Sequence, residues 1–136
     1  MEPHAMVPVR VVAGIIWDGG RYLAVQRPRG KHMAGWWEFP GGKAELDETL
    51  EQALVRELQE ELSITATSFF LWQEKTHRYP NLDVQLFFFW VSAFQGWPTP
   101  LEGQAMAWII PGRNGLDFLE ADQDVVARLA AVPLPG

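Results

Sequence analysis

Arg56, Glu57, Glu60 and Glu61 crowd together in the stretch GGKAELDETLEQALVRELQEELSI, which runs from Gly41 to Ile64. Leu50, Leu54, Leu58 and Leu62 recur through the same stretch, with Ala53 behind them, at the spacing of a core-facing helical stripe. With a step of about 100° per residue and Leu50 at zero, Glu57 and Glu61 fall at roughly −20° and +20°, and Glu60 at about −80°. Two carboxylates therefore point into an arc that should be apolar. A run such as RELQEE is ordinarily solvated helix surface, because charges are rarely buried unpaired. Here Glu51, Gln52 and Gln59 already supply the polar face.

Three carboxylates within one turn repel one another, which raises their pKa values and weakens the helix unless a cation sits among them. Oxygen-only ligands favour a hard ion, Mg²⁺ or Mn²⁺, and Mg²⁺ shares its shell between carboxylates and substrate phosphates. The acids thus point to a metal, and the metal to a phosphorylated substrate. Arg56 either orients a neighbouring carboxylate or forms a surface ion pair worth less than about 1 kcal/mol.

The helix that must carry these groups is predicted from about Thr49 to Leu62, a stretch of good helix formers without Gly or Pro. Thr49 suits the N-cap, and Asp47 and Glu48 lie where a helix N-terminus favours negative charge. Upstream, VRVVAGIIW (Val9 to Trp17), the turn WDGGR and YLAVQR read as a hairpin with one strand buried on both faces. Pro28, Gly30 and Gly35 mark a loop, and the short apolar WWEF precedes the punctuation of Pro40, Gly41 and Gly42. Downstream, strands are expected at Ser68 to Lys75 and Val84 to Phe94, split by the turn-prone RYPNLD. The loop QGWPTPLEGQ leads to a short strand around MAWII, and Ala121 to Ala131 forms a second amphipathic helix. This order implies an α/β fold, a mixed sheet sandwiched between helices.

The chain of 136 residues is read as one domain, 1–136. Seventeen acidic against eleven basic residues give a net charge of −6, with Lys and Arg scattered. That argues against a grip on a nucleic acid polymer, which depends on phosphate neutralisation. The absence of Cys excludes disulfides, thiolate metal sites and a thiol nucleophile. MEPHAMVPVR lacks the apolar core of a secretory signal, and the longest apolar run, Leu86 to Val91, is too short to span a bilayer. A cytoplasmic protein with no membrane contact is expected, as a monomer or homodimer.

Gly42, Glu48, Arg56, Glu57, Leu58, Glu60, Glu61 and Ile64 match the Nudix box, G-x5-E-x7-R-E-U-x-E-E-x-G-U, where U is a bulky aliphatic residue. Only the second glycine departs, being Ser63; a left-handed residue commonly ends a helix there, so Ser costs about 1 kcal/mol of backbone strain. HMAGWWEFPGGK, LVRELQEEL, LEGQ and ADQDVVARL resemble, in that order, the MutT branch of the family, so the likeness covers nearly the whole chain. The resemblance implies an α/β/α sandwich that hydrolyses nucleoside triphosphates to the monophosphate and pyrophosphate. It further implies that Glu57, Glu60 and Glu61 hold divalent ions with the backbone carbonyl of Gly41, that Arg56 orients Glu57, and that Glu102 joins the metal shell and is a candidate for activating water. Arg27 and His32 correspond to positions that contact the phosphates and sugar region, and Glu38, Phe39, Tyr79 and Asp122 to the remainder of the substrate site.

Asp122 stands where MutT-like 8-oxo-dGTP hydrolases carry an Asn. An amide donates and accepts at once, whereas an ionised carboxylate only accepts. An ionised Asp122 would suit the exocyclic amine of cytosine or the N1–H and N2–H₂ edge of guanine, and related CTP pyrophosphohydrolases look similar at this position. Leu82 and Tyr79 replace an Arg and a Phe of the MutT relatives. Asp122 is equally readable as a charge at the N-terminus of the last helix, and Trp36 and Trp37 either stack on a base or belong to the core. The expected activity is therefore hydrolysis of an oxidised or modified nucleotide such as 8-oxo-dGTP, with CTP or a 5-substituted (d)CTP as alternative substrate, and a non-catalytic nucleotide-sensing module as the alternative of another class.

Overall fold

The computed structural model describes residues 8–113 and 115–135. The segment MEPHAMV, part of the stretch read as lacking a signal's apolar core, lies outside them. Among the described residues the element order is β1 (Val9–Asp18), β2 (Arg21–Gln26), β3 (Trp37–Glu38), β4 (Gly41–Lys43), α1 (Leu50–Leu62), β5 (Thr65–Tyr79), β6 (Leu82–Gln95), β7 (Met106–Ile109) and α2 (Glu120–Ala131).

The strands run β3-β2-β1-β6-β5, with β4 also pairing β1 and β7 pairing β2. β1 lies parallel to β6 from Val9 to Ile16 and antiparallel to its other neighbours, so the sheet is mixed. Gly19 and Gly20 turn the chain between β1 and β2 with φ of 61° and 83°, the paired positive angles of a tight hairpin turn.

Alternation along β1 divides the core. Val12 and Ile16 join Leu23, Val25, Phe89 and Val91 beneath α1, while Ala13 and Ile15 join Tyr22, Ala24, Phe88 and Trp90 beneath α2. Each face is apolar and each is covered by one helix, which is the expected α/β/α sandwich. Leu54, Leu58 and Leu62 are fully buried under α1, together worth on the order of 5 to 9 kcal/mol of transfer free energy. Gly14 allows the close approach, since a Cβ there would meet Leu58 at 3.3 Å.

α1 begins where the sequence places it. Thr49 accepts from the Gln52 N–H at 3.1 Å and Gln52 Oε1 accepts from the Thr49 N–H at 3.0 Å, a reciprocal cap. It ends at Ser63, whose φ of 57° is left-handed, as its place in the box requires. The pair Gly41 and Gly42, expected as punctuation, instead forms β4 against Val11–Ala13. The reason is close packing: a Cβ on Gly41 would overlap the Val12 carbonyl, so only glycine lets this strand lie so near β1. β5 and β6 are longer than expected and meet at a tight turn between Tyr79 and Leu82. Among the described residues no helix is long and apolar enough to cross a membrane.

Candidate active site

A cavity of about 480 Å³ opens where β4, the inner edge of α1 and the N-terminus of α2 converge, a size that suits a small-molecule ligand. Of the residues expected at the site, Arg27, Glu38, Phe39, Gly41, Glu57, Glu60, Glu61, Tyr79, Glu102 and Asp122 line it. Arg56 braces it from behind. His32 is not in the lining; its backbone carbonyl accepts from Arg27 Nε at 2.7 Å, so what it gives here is a loop contact. Trp36 and Leu82 are exposed outside the lining, and Trp37 packs against the α2 core.

The three box carboxylates sit as their angles require. Glu57 is 19% exposed and Glu60 61%. Arg56 holds both, donating from Nη1 to Glu57 at 2.9 Å and to Glu60 at 3.1 Å. Its other nitrogens reach both oxygens of Glu48 at 2.6 and 2.7 Å and the Lys43 carbonyl at 3.0 Å. Arg56 is thus a hub tying the start of α1, its middle and β4 together. Glu48, expected only as a charge near the helix N-terminus, is its main brace; the guanidinium and the Glu45 N–H hold the Glu48 carboxyl down at about 2.

Glu61 reaches inward to accept from the Gly41 N–H at 3.0 Å. Burial, together with Glu38, Glu57 and Glu102 nearby, pushes its carboxyl up to about 8 against that one hydrogen bond. Glu102 is brought close by backbone anchors: Thr99 N–H donates to Leu62 O at 2.8 Å, Leu101 N–H to Glu61 O at 3.2 Å, and Glu102 N–H to buried Gln104 Oε1 at 3.0 Å.

These donors fit a hard divalent cation. Three carboxylates of the same cavity, Glu38, Glu57 and Glu102, repel Glu61, a Cβ on Gly42 would overlap the Glu57 carboxylate, and the donor set is all oxygen. Among the described residues no trio of His, Cys, Asp or Glu is already drawn together closely enough to hold an ion. Arg56 draws Glu57 and Glu60 to one side, and the Gly41 N–H holds Glu61.

Another part of the cavity wall is built by β3 and the start of α2. Trp37 N–H donates to Asp117 O at 2.8 Å and Leu119 N–H to Trp37 O at 2.9 Å, which seats the start of α2 beside β3. Lys75 on β5 clamps that turn, bonding Ala121 O at 2.8 Å and Asp124 Oδ1 at 2.7 Å. Asp122 is 7% exposed, and its Oδ2 accepts from the Phe39 N–H at 3.3 Å. Burial, then the charge of Glu38, pushes its carboxyl up to about 7; the Phe39 N–H and Lys75 oppose this. Asp122 is therefore not a solvated helix-end charge. The Phe39 ring is core, edge-on to Phe88 at 5.9 Å, so Phe39 shapes this part of the wall largely through its backbone. Tyr79 stands against His77 with ring centroids 4.6 Å apart, its hydroxyl pushed up by burial and by Asp122.

The sequence matches the NUDIX domain over residues 7–124. The chain belongs to the Nudix family. It is 39% identical over 126 residues to the 8-oxo-dGTP diphosphatase of Escherichia coli K12, covering 91% of this chain and 98% of that one. It is 42% identical over 120 residues to the CTP pyrophosphohydrolase of the same organism, covering 88% of each. Among solved structures, one from a study of the MutT proteins of Aliivibrio salmonicida and Vibrio cholerae superposes with a TM-score of 0.80 at 38% identity, covering 92% of this chain and 98% of that one. The solution structure of the E. coli ORF135 protein gives 0.83 at 36% identity, covering 98% and 100%. The chain is a Nudix hydrolase, and enzymes of this family generally use divalent cations.

Glu48, Lys75 and Gln104 brace residues of the cavity and were not among the residues expected there. Glu48 carried a signal, being a fixed position of the box eight residues before Arg56. Lys75 carried none, because its partners come from an element distant in sequence, and Gln104 stood in LEGQ without a role of its own until the loop geometry showed its bond to the Glu102 N–H.

Proposed function

We propose that this Nudix hydrolase cleaves a nucleoside triphosphate to the monophosphate and pyrophosphate, with Mg²⁺ held by Glu57, Glu60, Glu61 and Glu102 together with the Gly41 carbonyl. The observation that carries this reading is that one cavity has both a crowded group of carboxylates, Glu57, Glu61 and Glu102, and a buried polar group, Asp122, in its lining. A metal-bound triphosphate and a base need those two kinds of group. When bound, the ion neutralises the phosphates and lowers the pKa of the water it holds. We assign Glu57, oriented by Arg56, and Glu102 as the candidates that would take a proton from the attacking water. The oxygen–phosphorus bond from water forms as a bridging anhydride bond breaks. That both named relatives are enzymes leaves the non-catalytic sensing module without support.

For the base, the structure alters the argument from Asp122. An ionised carboxylate meets lone pairs when it faces an 8-oxoguanine ring oxygen. A carboxyl raised to about 7 keeps its protonated form populated at neutral pH, and that form donates and accepts as an amide does. This supports an oxidised purine nucleotide such as 8-oxo-dGTP. The ionised form, an acceptor only, favours the second reading, CTP or a 5-substituted (d)CTP through the exocyclic amine. A hydrolysis panel of normal, 8-oxoguanine and 5-substituted cytosine triphosphates, with products identified, tests the choice. A higher kcat/KM for 8-oxo-dGTP is expected; a preference for the cytosine nucleotides assigns the second reading, and indifference to the base sinks both.

A further inference from the structure

We infer that Lys31 is a substrate-binding residue that Glu102 holds at the cavity mouth in the metal-free protein. This rests on the proposed reading of the site. Three cations line the cavity: Arg27, Lys31 and Lys43. Arg27 is already committed, with Nη1 at 3.2 Å from each oxygen of Glu38 and Nε at 2.7 Å from the His32 carbonyl. Both side chains of that pair are 25% exposed, and burial already pushes the Glu38 carboxyl up, so withdrawing Arg27 would strand an acid that burial disfavours.

Lys31 differs in each respect. Its Nζ is 3.4 Å from Glu102 Oε2, with the two side chains 53% and 49% exposed, and the pair joins two loops that both contribute to the cavity lining. An exposed pair of this kind shifts an equilibrium by no more than about five-fold, so a stronger partner displaces it. Glu102 is itself a candidate metal ligand. Once it turns to a cation, Lys31 is left charged and unpaired on the wall of the cavity that the phosphates would enter. An ammonium on a long stem, with three donors and no fixed plane, suits a phosphate whose orientation is set by other groups. The one lysine thus competes with the cation for Glu102 before substrate arrives and supplies positive charge to the substrate afterwards.

The test compares wild type, Lys31→Met and Lys31→Arg, with Arg29→Met as an exposed control outside the cavity lining. Mn²⁺ binding to the nucleotide-free protein is followed by electron paramagnetic resonance, and steady-state kinetics are measured with Mg²⁺ and a nucleoside triphosphate. Lys31→Met is expected to bind Mn²⁺ about two- to five-fold more tightly, yet to show a KM raised by about five-fold or more with kcat within about two-fold. Lys31→Arg restores KM, and Arg29→Met changes neither quantity. Unchanged or weaker Mn²⁺ binding in Lys31→Met overturns the inference, as does an unchanged KM. If Glu57→Gln abolishes hydrolysis while Lys31→Met does nothing, only the role of Lys31 falls. If Glu57→Gln hydrolyses normally, the reading of the site beneath it falls too.

Discussion

Replacing Asp122 by Asn should stabilise the protein, and by more as the pH rises. Asp122 is buried at the start of α2, with one hydrogen bond from the Phe39 N–H and a carboxyl pushed from 3.8 to about 7 by burial first and Glu38 second. Its folded pKa lies above its unfolded one, so between those values the folded chain holds more protons than the unfolded chain, and stability falls as pH rises. Its contribution is whole below about pH 4 and lost as the pH climbs through about 7. At roughly 1.4 kcal/mol per unit, that loss is on the order of 2 kcal/mol at pH 5 and on the order of 4 kcal/mol at pH 8. Asn keeps an acceptor for the Phe39 N–H and carries no charge at either pH. Urea unfolding of wild type and Asp122→Asn, without metal or nucleotide, should therefore show a stability gap about 2 to 3 kcal/mol wider at pH 8 than at pH 5. A gap that stays constant, or narrows, would refute the claim that burial sets the state of Asp122, and with it the case that a protonated Asp122 reads an oxidised purine.

Two further substitutions separate stability from chemistry. Ser63→Gly relieves the left-handed residue that ends α1 and should raise stability by about 1 kcal/mol, or Tm by roughly 3 to 5 °C in a thermal scan, with kcat unchanged. Gly42→Ala should do the reverse: its Cβ meets the Glu57 carboxylate rather than backbone, so that side chain is pushed off Arg56. Pyrophosphate release should drop by about 10-fold or more while Tm moves by only a few degrees.

Much of this architecture could be read from the chain because two periodicities dominate it. The four-residue recurrence of Leu50, Leu54, Leu58 and Leu62 set the helix and the directions of Glu57 and Glu61, and the apolar runs at Val9–Trp17 and Val84–Phe94 set strands that need cover on both faces. What escaped depends on contacts between segments. Gly41 and Gly42 look like punctuation in sequence, and only the proximity of Val12 and Glu57 shows that they form a strand where no side chain fits. Glu48 looked like a charge for the helix dipole because its eight-residue separation from Arg56 means little until the chain folds back around the α1 cap. Asp122 is the sharpest instance. Its type was visible, but its protonation depends on burial against Phe39 and Glu38, more than eighty residues away.

If the inward carboxylates of α1 run metal-dependent hydrolysis of a nucleoside triphosphate, neutralising one of them must cripple it. Pyrophosphate release by wild type and Glu57→Gln, measured with and without Mg²⁺, tests it directly. Arg56 keeps both its bonds to Glu48 in that variant, so the helix start stays braced. Mg²⁺-dependent release by wild type is expected, with a fall of about 100-fold or more in kcat/KM for a Glu57→Gln protein of wild-type circular dichroism. Equal release by the two proteins would contradict it.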